Sequence, residues 1–150
     1  MTYEDLLQKI DLDDYDALWL TLYGEARGEP IEGIIGVASV IRNRVNEQKK
    51  NYHAIVTEPE QFSCWNKTDP NAPLLLELYK EEMDHEIDDP IIREIQYIAT
   101  GIIHHDLRDN TMGSNHYLTT SLFNSEKCPE WAKKGKLNVH LGRQLFLTCR

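Results

Sequence analysis

Glu25-Ala26-Arg27-Gly28-Glu29 sets two carboxyl groups four residues apart at the end of an apolar stretch. On a helix turning about 100° per residue, Leu18, Trp19, Leu22, Tyr23 and Ala26 form one apolar arc. Glu25 falls just outside that arc, next to Leu18. A carboxyl at the edge of a buried stripe loses solvation, and desolvation disfavours its charged form. Such a group holds a proton near neutral pH and can pass it to a leaving oxygen, the work of a general acid. Gly24 is costly in a helix, and its small size would let a ligand approach. The ordinary alternative is that Glu25 forms a boundary ion pair with Arg27 or Arg42. Glu29 reads as an acid in the first turn of the next helix, stabilising its N-terminus.

Other residues that carry chemistry lie further along. Gln61, on a polar loop, suits either a hydrogen bond to an amide-bearing ligand or a loop cap. Phe62 reads as core or cleft lining, and Trp65 as a stacking platform or as packing. His116 and Tyr117 suit a cleft, with a structural hydrogen bond as the alternative for His116. Trp131 reads as packing. Ser63, Cys64 and His116 lack the order and flanking residues of a nucleophilic triad. His104 and His105 are adjacent, so they do not face one way, and no HExxH or paired-cysteine spacing occurs. No metal site and no cofactor is expected, and no phosphate-binding glycine loop is present.

The elements that must position these groups are mostly helical. Tyr3 to Ile10 reads as a short amphipathic helix, with an acidic break at Asp11 to Asp14 that caps the next one, Tyr15 to Ala26. Pro30 to about Asn46 carries Ile31, Ile34, Ile35, Ala38, Ile41 and Val45 on one face. Gly33 and Gly36 within it suggest that another backbone packs close. Gln61 to Pro73 reads as a loop, Pro73 to about Glu86 as a helix, and Asp89 caps a stretch from Pro90 striped by Ile91, Ile95, Ile98 and Ile102. Beyond His105 the texture is turn-like, with short strand candidates at His116 to Thr119, Asn138 to Leu141 and Leu145 to Thr148. Glu130 to Lys134 reads as one helical turn. The expectation is a single domain over residues 1–150, mainly α with a small irregular or β-containing C-terminal part.

Composition bounds the function. The 150 residues are 41% hydrophobic and 27% charged, as in globular chains, and long enough to bury a core. A net charge of −9 argues against nucleic acid as a partner. It is also awkward for an anionic surface unless Arg42 and Arg44, or Lys133, Lys134 and Lys136, form a local basic patch. Three cysteines, Cys64, Cys128 and Cys149, read as reduced thiols. No run approaches the roughly 18 apolar residues of a membrane span, and Met1 to Gln8 lacks the features of a signal peptide.

Glu25-Ala26-Arg27-Gly28-Glu29, followed by Gly33 and by Asn43-Arg44-Val45, resembles the motif of the spore-cortex-lytic, SleB-like family of cell wall hydrolases. Gln61-Phe62-Ser63 with Trp65, then Gly113, His116 and Tyr117, then Pro129, Trp131 and Ala132, then Leu141-Gly142 with Phe146, resemble its later elements, in the same order from about Ala17 to Phe146. Gln144 departs from the pattern, standing where the family usually has histidine, and Pro70 to Asp89 has no counterpart in it.

The resemblance implies a lysozyme-like fold and a glycosidase acting on peptidoglycan glycan strands. The bond would be the β-1,4 linkage between N-acetylmuramic acid and N-acetylglucosamine. Glu25 would be the catalytic group, Gln61, Phe62, Trp65, His116 and Tyr117 would bind substrate, and Arg27 and Glu29 would support the site. A lytic transglycosylase needs only one carboxylate, whereas two-carboxylate glycosidases hold a pair roughly 5 to 9.5 Å apart. Hydrolytic muramidase action, and a non-catalytic wall-binding or virion module, are the alternatives. The protein would be made in the cytoplasm and would reach the wall on release or within a phage particle; the sequence leaves its oligomeric state open.

Overall fold

A computed structural model describes residues 12–58, 61–66 and 68–150. The helix expected over Tyr3 to Ile10 lies outside the described residues. Helix α1 spans Asp14–Ala26 and starts where the Asp13 carboxylate accepts the Asp16 backbone N–H at 2.7 Å. Helix α2 spans Ile31–Gln48, and α3 spans Tyr52–Val56. A single 3₁₀ turn at Ser63–Trp65 interrupts the polar loop. Helix α4 (Asn71–Asp84) begins two residues before the expected start, and α5 (Pro90–Ile103) is capped by Asp89 as expected.

The C-terminal part is an antiparallel three-stranded sheet with two helical turns. Strand β1 is His116–Thr119, followed at once by α6 (Thr120–Phe123), then α7 (Glu130–Lys134), β2 (Lys136–Leu141) and β3 (Gln144–Thr148). The sheet order is β1-β3-β2, so β3 is central, and Gln144 stands opposite both Thr119 and Leu141.

Helix α1 is the hub. Its Leu18, Trp19, Leu20 and Leu22 are buried, and α2, α3, α4 and α5 all pack on it. Burial of this kind is worth about 1.5–3 kcal/mol per large side chain, which outweighs the modest propensities of the segment. On α5 the buried face is Ile92, Ile95, Ile98, Ala99 and Ile102, whereas Ile91, expected in that stripe, is exposed. The segment from Pro70 to Asp89 supplies α4, whose Leu75, Leu76 and Leu78 pack inward.

The sheet packs closely on α2 at Gly36. A Cβ on Gly36 would lie 2.5 Å from the Phe146 ring. The close neighbour at Gly36 is thus a phenyl ring rather than the second backbone expected there. Phe146 and Gln144, two residues apart on β3, share a face. Leu145 and Leu147 point the other way, into a small cluster with Leu118, Cys128 and Ala132.

Candidate active site

Glu25 sits in the last turn of α1, half-buried, beside the Ser63–Trp65 turn. Its Oε1 accepts the Cys64 backbone N–H at 3.2 Å. Burial pushes its carboxyl above the usual range, and the negative charge of Asp69 pushes the same way. Hydrogen bonds from Cys64, backbone and thiol, and from the Ser63 backbone pull back, but burial wins. The Cys64 thiol is driven far up by burial and by Glu25, so it stays protonated and acts as a donor to the carboxylate. The Tyr117 phenol, also close to Glu25, is raised well above its ordinary value by burial and keeps its proton.

Two clefts meet at Glu25. One, of about 660 Å³, is lined by Arg44, Gln61, Phe62, Ser63, His116, Tyr117, Trp131 and Gln144 as well as Glu25. The other, of about 390 Å³, is lined by Gly28, Glu29, Ser121 and Arg143. Glu25, Thr119 and Gln144 line both, so the acid stands at their junction. A polymer threaded through the pair would have a linkage over Glu25 and further units on either side.

The larger cleft is built by a clamp between α2 and the loop before β1. The Asn43 amide donates to Asp109 Oδ2 at 3.0 Å and to the Ser114 carbonyl at 2.8 Å. Asp109 also accepts from the Thr111 hydroxyl and backbone N–H and from the Gly113 backbone. Burial alone would raise its carboxyl, yet these hydrogen bonds hold it below the ordinary value. Arg44 donates to the Asn115 carbonyl at 2.7 Å and lies over the Phe62 ring.

Asn115 Oδ1 accepts the Cys149 backbone N–H at 2.9 Å, and His116 Nδ1 lies 2.8 Å from the same oxygen. That nitrogen therefore carries the proton. Burial and Arg44 depress the basicity of the ring, so the imidazole is neutral near pH 7 and Nε2 is its acceptor. The ring rests on Trp131, with centroids 4.9 Å apart.

A model of the cell wall hydrolase family matches residues 28–147. The chain belongs to the cell wall hydrolase family. A spore cortex-lytic enzyme of Oceanobacillus iheyensis is 39% identical over 54 residues, which cover 35% of this chain and 20% of that protein. The chain thus aligns with about a fifth of that relative's length. Among solved structures, the catalytic domain of the germination-specific lytic transglycosylase SleB from Bacillus anthracis is similar in fold, with a TM-score of 0.63 at 19% identity over 95% of this chain and 98% of that one. The catalytic domain of the Bacillus cereus SleB protein gives 0.58 at 19% identity, over 91% and 89%. The lysozyme-like α+β architecture expected from the motifs is the architecture of this cell wall hydrolase.

Several residues behave otherwise than the sequence suggested. Trp65 is not a sugar platform: it is buried, and its indole N–H donates to the Thr21 hydroxyl at 2.8 Å. Arg27 turns away from Glu25, donating to the Tyr23 carbonyl and the Asn71 side chain, with its guanidinium over the Tyr23 ring. Arg42 is buried and donates to the carbonyls of Ile102 and Leu107. Neither arginine pairs with Glu25, which removes the bland reading of that carboxylate, and neither Arg42 nor Arg44 makes a surface patch. Glu29 is buried, and its Oε2 meets the backbone N–H and guanidinium of Arg143 at 3.4 and 3.5 Å. It fastens the β2–β3 turn to the start of α2 instead of facing the α2 N-terminus. The space beside Gly24 is filled by Cys64, since a Cβ there would come within 2.6 Å of the Cys64 Cβ.

Gln61, His116 and Tyr117 do line the cleft with Glu25. Phe62 borders the same cleft but its ring is buried beneath the Arg44 guanidinium, so it serves as core and not as a surface that binds substrate. Sequence reasoning missed Cys64, Arg143 and Trp131 as cleft or site residues. Gln144, noted only as a departure, is buried beside Glu25, and its Oε1 has no hydrogen-bond partner among the described residues.

Proposed function

We propose that the protein cuts the β-1,4 bond between N-acetylmuramic acid and N-acetylglucosamine in peptidoglycan, as a lytic transglycosylase with Glu25 as its one acid and base. The observation that carries this reading is a carboxyl with a raised pKa at the junction of two clefts. Protonated Glu25 donates to the glycosidic oxygen, the C1–O bond breaks, and the leaving sugar departs as an alcohol. Positive charge then spreads over C1 and the ring oxygen of the muramic residue. The Glu25 carboxylate next takes the proton of the muramic 6-hydroxyl as O6 bonds to C1, which closes a 1,6-anhydro ring and restores the acid. No water is consumed.

The surroundings suit both halves of the cycle. Burial raises the Glu25 carboxyl and so favours the protonated form that the first step needs, while the Cys64 and Ser63 donors steady the carboxylate formed between the steps. The neutral His116 ring and the Tyr117 hydroxyl offer an acceptor and a donor to sugar hydroxyl and acetamido groups. Glu29 is engaged by Arg143, so a one-carboxylate scheme suits this site better than a paired one. Hydrolytic muramidase action shares the first step, with water in place of the 6-hydroxyl. A purely binding module would have no need of a sheltered acid.

Mass spectrometry of digested sacculi tests the reading. Anhydro-muramic ends are expected. Reducing muramic ends would establish hydrolysis instead, and intact strands would refute glycosidase action.

A further inference from the structure

Outside the Glu25 clefts, the described residues form a further cleft of about 860 Å³ whose rim carries Lys134, Lys136 and Arg150. Among the described residues none of these three cations takes part in an ion pair, whereas neighbouring Lys133 is held by Glu130 at 3.2 Å. Among the side chains that line the cleft, one is acidic, Glu47, and it already accepts from the Asn115 amide at 3.3 Å. On a chain of net charge −9, three unpaired cations in one concavity run against the composition. A concave surface focuses their field on whatever enters. The floor is fixed: Asn115 is tied to Cys149 at both backbone groups, and the Asn138 amide donates to the Ser114 and Thr148 hydroxyls.

The cleft adjoins the proposed glycan site. Asn115 precedes His116, and Lys134 lies three residues beyond Trp131 on α7. The His116 and Trp131 rings, tilted against each other at 4.9 Å, line the glycan side, and Arg44 reaches from that side to the carbonyl of Asn115, which lines the basic cleft. We propose that this basic cleft binds the carboxylates of the peptide stems borne by the strand that lies over Glu25.

The proposal rests on the peptidoglycan reading above and gives it a specificity: stem-bearing strands over bare ones. Muramic residues recur along the strand and carry these anionic stems, so a strand seated in the Glu25 clefts brings stems to the flank of the site. Each stem residue spans at most about 3.3–3.6 Å, so a few residues clear an aromatic side chain in width. Phosphate-bearing wall polymers share the charge but are not attached at every muramic residue.

The test uses the full chain. Glu25→Gln protein, chosen to suppress turnover, is titrated with a soluble stem peptide and with its fully amidated form. Binding of the free acid alone is expected, weakening with salt and roughly three- to tenfold weaker when K134Q and K136Q are added, as for exposed ion pairs. With Glu25 intact, K134Q/K136Q is expected to cut stem-bearing sacculi more slowly by a similar factor and amidase-stripped strands at the wild-type rate. Absence of peptide binding, or an equal loss on both substrates, would overturn the proposal. A deficit that disappears on removing wall phosphate polymers but not stems would overturn it in favour of those polymers. If wild-type protein cuts neither substrate yet lysine-dependent peptide binding persists, the glycosidase reading fails and the cleft assignment stands.

Discussion

At Glu25 two influences oppose each other: loss of water and the Asp69 charge favour the protonated form, while donors from Cys64 and Ser63 favour the anion. The balance makes separate predictions for each neighbour. Asp69→Asn keeps an acceptor for the Asn71 backbone N–H, which Asp69 Oδ1 now receives at 2.8 Å, but removes the charge. The alkaline limb of the pH–rate profile should therefore move to lower pH. Cys64→Ala deletes a donor to the carboxylate and should move that limb to higher pH, with Cys64→Ser restoring it. Thiol reagents should leave Cys64 unmodified in native protein, because its thiol is buried and held protonated. The sequence revealed Glu25 because a helical period located it against Leu18 and Leu22. It did not reveal Cys64, Asp69 or Arg143, since their effect depends on how loops and a hairpin return to the end of α1.

Between elements, the contacts that matter join α2 to the C-terminal sheet. Asp109→Ala would strip acceptors from Asn43, Thr111 and Gly113 at once. A cost of about 1–3 kcal/mol in a denaturant melt is expected, together with weaker substrate binding as the loop before His116 loosens. The pH dependence has a definite sign. The folded carboxyl of Asp109 lies below its unfolded value, so its contribution is present above the unfolded pKa and is lost as pH falls through the folded one. Gly36→Ala should cost about 1–3 kcal/mol by forcing the Phe146 ring aside. The helices were legible in the sequence because their buried faces repeat every three to four residues. The placing of Gln144 beside Glu25 was not, because it depends on pairing across β1, β3 and β2, and strands this short carry little pattern of their own.

For the molecule as a whole, the proposed acid is a burden on stability. Glu25 has a folded pKa above its unfolded one, so its favourable contribution is complete below the unfolded value and disappears as pH rises through the folded value. At pH 7 to 8, Glu25→Gln should melt no lower than wild type, and a gain of about 1 kcal/mol would raise Tm by roughly 2–4 °C. The same variant addresses the central claim when its clearing of purified sacculi is followed by turbidity beside wild type, with circular dichroism confirming the fold. A positioned acid is worth about 10²–10⁴-fold, so clearing should drop by at least about a hundredfold while the fold is retained. Clearing by folded Glu25→Gln protein at a rate near that of wild type would contradict the assignment of Glu25 as the proton donor.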